Sequence, residues 1–271
     1  MLTACHVLTT GYCRASESHL IRGGARRTVD VPAQVALLHH ATRGWLLFDA
    51  GYASRLWDAT ARPPYFLYRR ATPLRLPPEL PLAAQLPTAL GLSPGDVRTV
   101  VVSHFHADHV AGLRDFPRAR LVASRAAYAD VAGRRGWPAL RRAFLPLLMP
   151  GDFADRATLV DDFSGGPDLP HLGPTRDLFG DGTLLLVPLP GHARGQIGLY
   201  AETPETPTLF LADSAYRTRS VRENLPPHPL TDLFADDPRA ARDTLTRLHA
   251  FHRARPDVRL VASHEEGGGE P

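Results

Sequence analysis

Histidine and aspartate crowd into one short stretch of the chain, which constrains the fold more than any other feature. Within six positions lie His104, His106, Asp108 and His109. The β-branched run before them, residues 97–102, predicts a buried strand. Neutral imidazole and carboxylate are ligands that suit zinc and neighbouring transition metals. A tight loop lets His104 and His106 project the same way while Asp108 and His109 reach a second point, a spacing that can serve two ions. A polar loop with chance histidines is the disfavoured alternative.

Three more candidate ligands occur far along the chain. Each comes directly after, or at the end of, an apolar run that predicts a strand: His192, Asp213 and His264. Ligands placed this way meet when several strands deliver them to one edge of a sheet. We therefore expect these side chains to join the histidine-rich stretch at a single site.

Together these positions form a set of motifs that is known from one superfamily. The chain reads H-x-H-x-D-H from His104, then P-G-H-x-x-G around His192, then one strand ending in Asp and another ending in His. An earlier Phe-Asp-Ala-Gly, which contains Asp49, matches the first motif of the same superfamily. Over roughly residues 31–264 the sequence resembles the metallo-β-lactamase fold superfamily of hydrolases. The resemblance implies an α/β fold, an αββα sandwich with its metal site at the edge of the two sheets.

The resemblance also implies two divalent metal ions. One ion would be held by three histidines: His104, His106 and His192. The second would be held by one aspartate and two histidines: Asp108, His109 and His264. A carboxylate would bridge the two ions: Asp213. Asp49 would brace the metal loop from outside it, because such support orients metal ligands. We favour zinc, and iron, manganese or cobalt are compatible because no thiolate is among the ligands.

The expected chemistry is hydrolysis of a carbonyl compound. Two neighbouring metals lower the pKa of a shared water to about 7, so that metal-bound hydroxide attacks at neutral pH. Asp108 is predicted to pass a proton to the leaving alkoxide. Tyr216, three residues past Asp213, resembles the tyrosine of N-acyl homoserine lactonases, whose hydroxyl contacts the substrate carbonyl. We therefore predict a hydrolase that opens a lactone or cleaves a small carboxylic ester, with acyl-homoserine lactone hydrolysis, or quorum quenching, as the specific hypothesis.

Other functions stay open at this point. The alternatives are a phosphodiesterase or a glyoxalase II-like thioesterase of the same superfamily, and a non-catalytic scaffold that binds metal. Tyr216 has the alternative role of a packing residue or loop anchor. Asp213 argues against the β-lactamases that carry cysteine at that position, and His106 argues against the flavodiiron branch, which carries glutamate there.

The composition limits the partners. The net charge is +3, and all 31 basic residues are arginines scattered among acids, so we expect no nucleic-acid partner. No apolar run approaches the length of a membrane span. The first 11 residues lack the basic and apolar regions of a secretory signal, and Cys5 and Cys13 form no C-x-x-C pair. We expect a cytoplasmic enzyme that acts on a small molecule.

One domain, residues 1–271, is the expected organisation. Residues 52–95 are rich in proline and arginine, which predicts a lid or binding loop, with a surface excursion or a homodimer contact as the alternative. The tail at 267–271 is expected to be disordered. Local patterns predict a strand over 4–10 that ends at Gly11, a helix from Ser124 to about 135, and a second helix over 139–148.

Overall fold

The structure is a computed structural model that describes residues 1–233 and 235–265. Within those ranges the strands form two sheets. The bounds of the strands are β1 Leu2–Ser16, β2 Thr28–His40, β3 Gly44–Phe48, β4 Leu74–Arg75, β5 Val97–Val102, β6 Arg120–Ser124, β7 Ala157–Val160, β8 Arg176–Asp177, β9 Leu184–Pro188, β10 Ile197–Ala201, β11 Thr208–Phe210 and β12 Arg259–Val261. The first sheet has the order β4-β1-β2-β3-β5-β6-β7, and the second has the order β12-β11-β10-β9-β8.

In each sheet, several strands run in the same direction, so their C-terminal ends lie at the same edge. In the first sheet, β3, β5, β6 and β7 are parallel neighbours. In the second sheet, β10 is antiparallel to both β9 and β11, and β11 is parallel to β12. Therefore β9, β11 and β12 run the same way, and the residues that follow them emerge at the same edge.

The helices cover the outer faces of the two sheets. Their bounds are α1 Glu17–Leu20, α2 Leu56–Ala59, α3 Phe66–Ala71, α4 Leu82–Leu90, α5 Ala107–Val110, α6 Arg125–Val131, α7 Gly136–Leu140, α8 Phe153–Arg156, α9 Thr218–Arg222 and α10 Pro238–Ala254. Short 3₁₀ turns occupy Pro94–Asp96, Leu113–Asp115, Pro146–Leu148, Ala212–Ser214 and Pro229–Leu233. No helix within the described ranges is both long and apolar enough to cross a membrane.

Alternating side chains on the central strands build three apolar layers. On β9, Leu184 and Leu186 face the other sheet, while Leu185 and Val187 pack toward α10. On β5, Val101 points between the sheets and its neighbours pack toward the helices of the first sheet. Strands that are buried on both faces read as continuous hydrophobic runs, which is why these runs were visible in the sequence. The predicted αββα sandwich is confirmed.

The first strand is longer than the sequence pattern predicted. It continues through Gly11 to Ser16, with a register shift against β2 between Thr9 and Tyr12. Gly11 has φ +148°, and a Cβ at this position would lie 2.5 Å from Leu76. The prediction that Gly11 ends the strand was wrong, because this glycine serves a bulge at which another segment packs closely.

The helices after β6 are shorter than predicted. Ser124 does cap α6, accepting a hydrogen bond from the Ala127 amide, but the helix ends at Val131 rather than near 135. The helix expected over 139–148 is instead α7 followed by a 3₁₀ turn. The break is at Ala143, whose φ is +45° and whose carbonyl accepts the amide proton of Ala107.

The proline- and arginine-rich segment 52–95 contains α2, α3, β4 and α4. Tyr68 and Leu86 are buried in the same core as the first sheet. The hydroxyl of Tyr65 accepts a 2.7 Å hydrogen bond from the Gly136 amide. The segment is thus packed onto the sandwich, and its role as lid or as dimer contact stays a prediction. The tail predicted to be disordered, 267–271, lies outside the described residues.

Candidate metal centre

Four loops carry the predicted ligands, and all four lie at one edge of the sandwich. The loop after β5 carries His104 and His106, and α5 begins directly after His106. The remaining three loops follow β9, β11 and β12. The Ala50 amide donates to the His109 carbonyl, so the loop after β3 supports α5.

The structure brings all seven predicted metal ligands together in two groups. Within each group the donor atoms lie within 4.8 Å of one another. The groups are His104, His106, His192 and Asp213, and Asp108, His109, Asp213 and His264. These groups match the division between two ions that the sequence predicted, with Asp213 common to both.

The carboxylate of Asp213 lies between the groups. Its Oδ2 is 3.3 Å from His192 Nε2 and 3.1 Å from His264 Nε2. Its Oδ1 is 3.1 Å from His109 Nε2. Ligand atoms that surround one tetrahedral zinc ion at about 2.0–2.1 Å are roughly 3.3 Å apart. The observed spacing therefore suits ligands that share a metal ion.

The outer nitrogens of the histidines have their own partners. His109 Nδ1 is 2.7 Å from Asp49 Oδ2, and His264 Nδ1 is 2.8 Å from the Pro32 carbonyl oxygen. His104 Nδ1 is 3.0 Å from the hydroxyl of Ser103. Such partners fix the orientation of a ligating imidazole and leave Nε2 free to bind. Asp49 thus occupies the bracing position that the sequence suggested.

Unsatisfied polar atoms test whether a cation fits this site. Three buried atoms of the two donor groups make no hydrogen bond to the described residues: His104 Nε2, His109 Nε2 and Asp213 Oδ1. The last two lie 3.1 Å apart without the geometry of a hydrogen bond. A buried polar atom without a partner costs about 1–3 kcal/mol, and more when it is charged. Two divalent cations in the two groups would occupy these atoms, so the residues fit a metal centre.

The pKa values of two histidines also favour metal binding. Burial, together with the nearby His109 and His106, lowers the pKa of His104 well below its usual value. Burial lowers the pKa of His192 to about 3 despite the opposing effect of Asp213. These two imidazoles are neutral at pH 7, the form that binds metal.

His109 responds to its anionic surroundings. Burial alone would lower its pKa, but Asp213 and then Asp49 and Asp108 raise it well above the usual value. Burial would raise the pKa of Asp213, but the histidines around it, His264 first, hold it well below the usual value. The carboxylates that favour a proton on His109 create a negative potential that favours a divalent cation.

Asp108 and Tyr216 differ from the buried ligands. The Asp108 side chain is 15% exposed, and its Oδ2 lies 3.6 Å from His264 Nε2, so it faces both the site and solvent. The Tyr216 ring packs against one histidine of each group, with centroids 5.9 Å from His192 and 5.6 Å from His264. Its hydroxyl is 3.4 Å from His192 Nδ1.

A cleft opens beside Tyr216. Its floor includes His192 and Asp213. Much of its wall is apolar: Ala215, Pro226, Pro227, Pro229, Ala241 and Leu245. Ligand sites in proteins are typically concave and mostly apolar with a few placed polar groups, and this cleft has that character.

The sequence reasoning missed two supporting groups. The hydroxyl of Ser103 donates to Asp49 at 2.7 Å and so links the brace to the metal loop. This serine stands directly before His104, which was a usable signal. The Pro32 carbonyl, which holds His264, had no signal because any residue supplies a carbonyl oxygen.

Comparison with known proteins decides the family. Residues 29–255 match the Metallo-beta-lactamase superfamily. The chain belongs to this superfamily. A probable metallo-hydrolase of Mycobacterium tuberculosis is 29% identical over 189 residues, which cover 68% of this chain and 59% of that protein. The N-acyl homoserine lactonase AttM of Rhizobium radiobacter is 34% identical over 133 residues, which cover 47% of this chain and 45% of AttM. The chain thus matches about half of the length of these superfamily relatives.

Solved structures of the superfamily have the same fold. A variant of AiiA from B. thuringiensis, with N-decanoyl-L-homoserine bound at the active site, superposes with a TM-score of 0.72. The alignment covers 98% of this chain and 94% of that one at 18% identity. AidC, a dizinc quorum-quenching lactonase, superposes with a TM-score of 0.67 at 17% identity, covering 99% and 91%. At these identities the likeness extends to the fold.

Proposed function

We propose that this superfamily member is a metal-dependent hydrolase that opens N-acyl homoserine lactones, using two divalent ions, for which zinc is favoured. The observation that carries the proposal is the position of the Tyr216 ring against both donor groups, beside a largely apolar cleft. AttM and AidC are named as lactonases, which supports the same substrate class.

Two divalent ions, held by the two donor groups, would lower the pKa of bound water and polarise the substrate carbonyl. Tyr216 supplies a hydrogen-bond donor next to that place. Burial raises the pKa of Tyr216, with Asp213 and Asp108 adding to the effect, so its hydroxyl stays protonated at neutral pH. The hydroxyl donates to the carbonyl oxygen as negative charge develops there.

Asp108 is placed to transfer a proton during the reaction. Water adds its oxygen to the carbonyl carbon, the ring C–O bond breaks, and the ring oxygen must gain a proton to become a hydroxyl. The Asp108 side chain is partly open to solvent, and its Oδ2 is 3.7 Å from His109 Nε2. We assign it the transfer of the water proton to the leaving alkoxide.

The cleft beside Tyr216 gives the acyl chain a place. Its proline and leucine side chains offer apolar contact to a hydrocarbon chain while the lactone ring faces the donor groups. The proposed partner is therefore a small amphiphilic molecule.

The first test compares substrates on the purified, metal-loaded protein. A panel of acyl-homoserine lactone, thioester, β-lactam and bis-aryl phosphate should show the lactone turned over with the highest kcat/KM. Faster cleavage of the phosphate or thioester would reject the lactonase proposal, and no turnover of any substrate would favour a metal-binding scaffold.

The second test removes one oxygen atom. Tyr216→Phe should lower kcat on the lactone about tenfold with metal content unchanged, because a metal already shares the charge on the carbonyl oxygen. Tyr200→Phe is the matched control. Tyr200 is also buried, but its hydroxyl binds Glu202 at the opposite end of the sheet. Equal lactone hydrolysis by Tyr216→Phe and the parent would remove the tyrosine from the mechanism.

A further inference from the structure

A buried glutamine beside the metal centre has no role in the chemistry described so far. Gln196 lies between the P-G-H-x-x-G motif and β10, which begins at the next residue, and it is 1% exposed. Its side-chain nitrogen donates to the Leu189 carbonyl at 3.2 Å and to the Ser214 hydroxyl at 2.8 Å. Its side-chain oxygen is buried without a hydrogen-bond partner among the described residues.

The two partners of this side chain belong to different ligand loops. Leu189 lies three residues before His192, and Ser214 directly follows Asp213. The side-chain amide of Gln196 therefore connects the loop that carries His192 to the turn that carries Asp213. The side chains of these two candidate ligands lie close to each other, with His192 Nε2 only 3.3 Å from Asp213 Oδ2.

Backbone bonds make the same position a junction for a third loop. The Leu189 amide donates to the Gln196 carbonyl at 3.1 Å. The Ile197 amide donates to the Ser103 carbonyl at 3.1 Å, directly before His104. Backbone bonds thus fix Gln196 against the loops of His192 and His104, and its side chain adds the connection to the turn of Asp213.

The turn that carries Asp213 has an uncommon backbone. Ala212 has φ +48°, and Asp213 itself has φ −99° and ψ 20° inside a 3₁₀ turn. A residue other than glycine in the left-handed region persists when its surroundings hold it there. The Ser214 hydroxyl, which is held by Gln196, is the side-chain anchor at the end of this turn.

We propose that Gln196 is a positioning residue that sets the separation of His192 and Asp213 and thereby the affinity of the first metal site. The inference concerns metal binding, which also underlies the proposed lactonase activity, but it does not depend on the substrate. A buried amide that leaves its own oxygen unpaired destabilises the fold, so a purely structural demand would be met as well by an apolar side chain.

Gln196→Met tests the proposal because methionine has a similar length and cannot donate a hydrogen bond. Zinc affinity is measured by competition with a chelator, which needs no substrate. We expect one zinc ion per chain, the one held by the first donor group, to bind 10–100-fold more weakly. Such a loss is typical when an outer partner of a metal ligand is removed. The cobalt(II)-substituted protein should show a changed absorption spectrum, because the ligand geometry changes.

Gln34→Met is the matched control. Gln34 is also a buried glutamine with an unpaired side-chain oxygen. Its backbone amide donates to the Ser263 carbonyl beside His264, a bond that the substitution keeps, and its side chain has no hydrogen bond to a ligand loop in the described part of the chain. Its substitution should leave zinc affinity and the cobalt spectrum unchanged. Zinc affinity in Gln196→Met that equals the parent, or that falls no more than in Gln34→Met, would overturn the proposal.

A second variant keeps the test decisive if Gln196→Met folds poorly. Ser214→Ala removes only the acceptor of the same hydrogen bond and should also weaken zinc binding. In the double variant the loss should equal that of Gln196→Met alone, because that change already breaks the bond to Ser214 as well as the bond to Leu189. Fully additive losses, or a parent-like affinity in Ser214→Ala, would mean that this bond does not position the site. A failed lactone assay would leave these outcomes untouched.

Discussion

Asp49 illustrates how one side chain outside the donor groups can set their geometry. It is buried, has φ +62°, and accepts hydrogen bonds from both the amide and the hydroxyl of Ser103 at 2.7 Å. The same carboxylate holds His109 Nδ1 at 2.7 Å. One anion therefore fixes the start of the metal loop and the ring orientation of a ligand in the second group.

Replacing Asp49 by asparagine keeps the shape and removes the charge. We expect Asp49→Asn to weaken metal binding 10–100-fold, mainly for the ion held through His109, because the imidazole loses its anionic partner. Chelator competition, followed by metal analysis, measures the effect. Unchanged affinity for both ions would show that His109 needs no anionic partner.

Asp108 is expected to matter for turnover more than for folding. Asp108→Asn removes both the anion and its ability to accept a proton, so kcat on the preferred substrate should fall about 10²–10⁴-fold. The pH dependence of kcat and the metal content are measured in parallel, which separates proton transfer from loss of the ion. Near-normal turnover with full metal content would exclude the proton role.

Residue types explain why the two donor groups could be predicted and some of the groups that support them could not. Histidine and aspartate in the H-x-H-x-D-H spacing carry their chemistry in the side chain, so His104 and its neighbours were visible in the sequence. The support of His264 comes from the carbonyl of Pro32, which lies 232 positions away. A backbone group at that separation leaves no trace in the local pattern.

The elements around His192 are tied to the last long helix. Asp237 caps α10 with its side chain, and its amide donates to the Gly191 carbonyl. The Thr244 hydroxyl donates to the Pro190 carbonyl at 2.7 Å. The helix therefore holds the loop that delivers His192 to the first donor group.

Gly191 is a point where this loop and α10 pack closely together. Its φ is +130°, and an added Cβ would lie 2.1 Å from the Ala241 nitrogen. We expect Gly191→Ala to lower stability by about 2–5 kcal/mol, through overpacking of about 1–3 kcal/mol and backbone strain of about 1–2 kcal/mol, and to weaken the binding of one metal ion. Thermal unfolding and chelator competition measure the two effects.

Gly133→Ala is the control for Gly191→Ala. Gly133 also has a positive φ, +75°, but nothing lies within 4 Å of its added Cβ. Gly133→Ala should lower stability only by the backbone strain, about 1–2 kcal/mol, and should leave metal affinity unchanged. Equal metal affinity in both variants would mean that the contact with α10 does not position His192.

Among the helices and strands, those that depend on a local sequence pattern were predictable, and those whose ends depend on contacts with distant segments were not. The strands before the ligands were predictable because burial on both faces gives continuous apolar runs. The break at Ala143 was not, because the conformation of this residue is accompanied by a hydrogen bond from Ala107, 36 positions earlier. The continuation of β1 through Gly11 likewise depends on Leu76 and Tyr52, which come from a distant segment.

The two sheets both contribute to each donor group. Within the first group, His104 and His106 follow a strand of the first sheet, while His192 and Asp213 follow strands of the second. The second group likewise combines residues of both sheets. A bound ion would thus link the two halves of the sandwich, so metal binding should stabilise the whole molecule rather than one loop.

The last prediction concerns the number of ions and their effect on unfolding. Two donor groups should hold close to two ions per chain in metal-replete protein. An ion present at 100 times its Kd stabilises the folded state by about 2.7 kcal/mol. Removing two such ions should cost about 5 kcal/mol and lower Tm by roughly 10 °C. Elemental analysis and thermal unfolding, before and after chelation, measure both quantities.

His264→Ala separates the two ions, because His264 belongs only to the second group. This variant should retain one ion per chain and show about half of the Tm decrease on chelation, since the first group still links the sheets. Re-addition of zinc to the chelated parent should restore the full Tm and thereby exclude damage by the chelator. A parent that saturates at one ion, with Asp108 and His264 dispensable for binding it, would contradict the dinuclear centre and leave Asp213 as a ligand of a single metal.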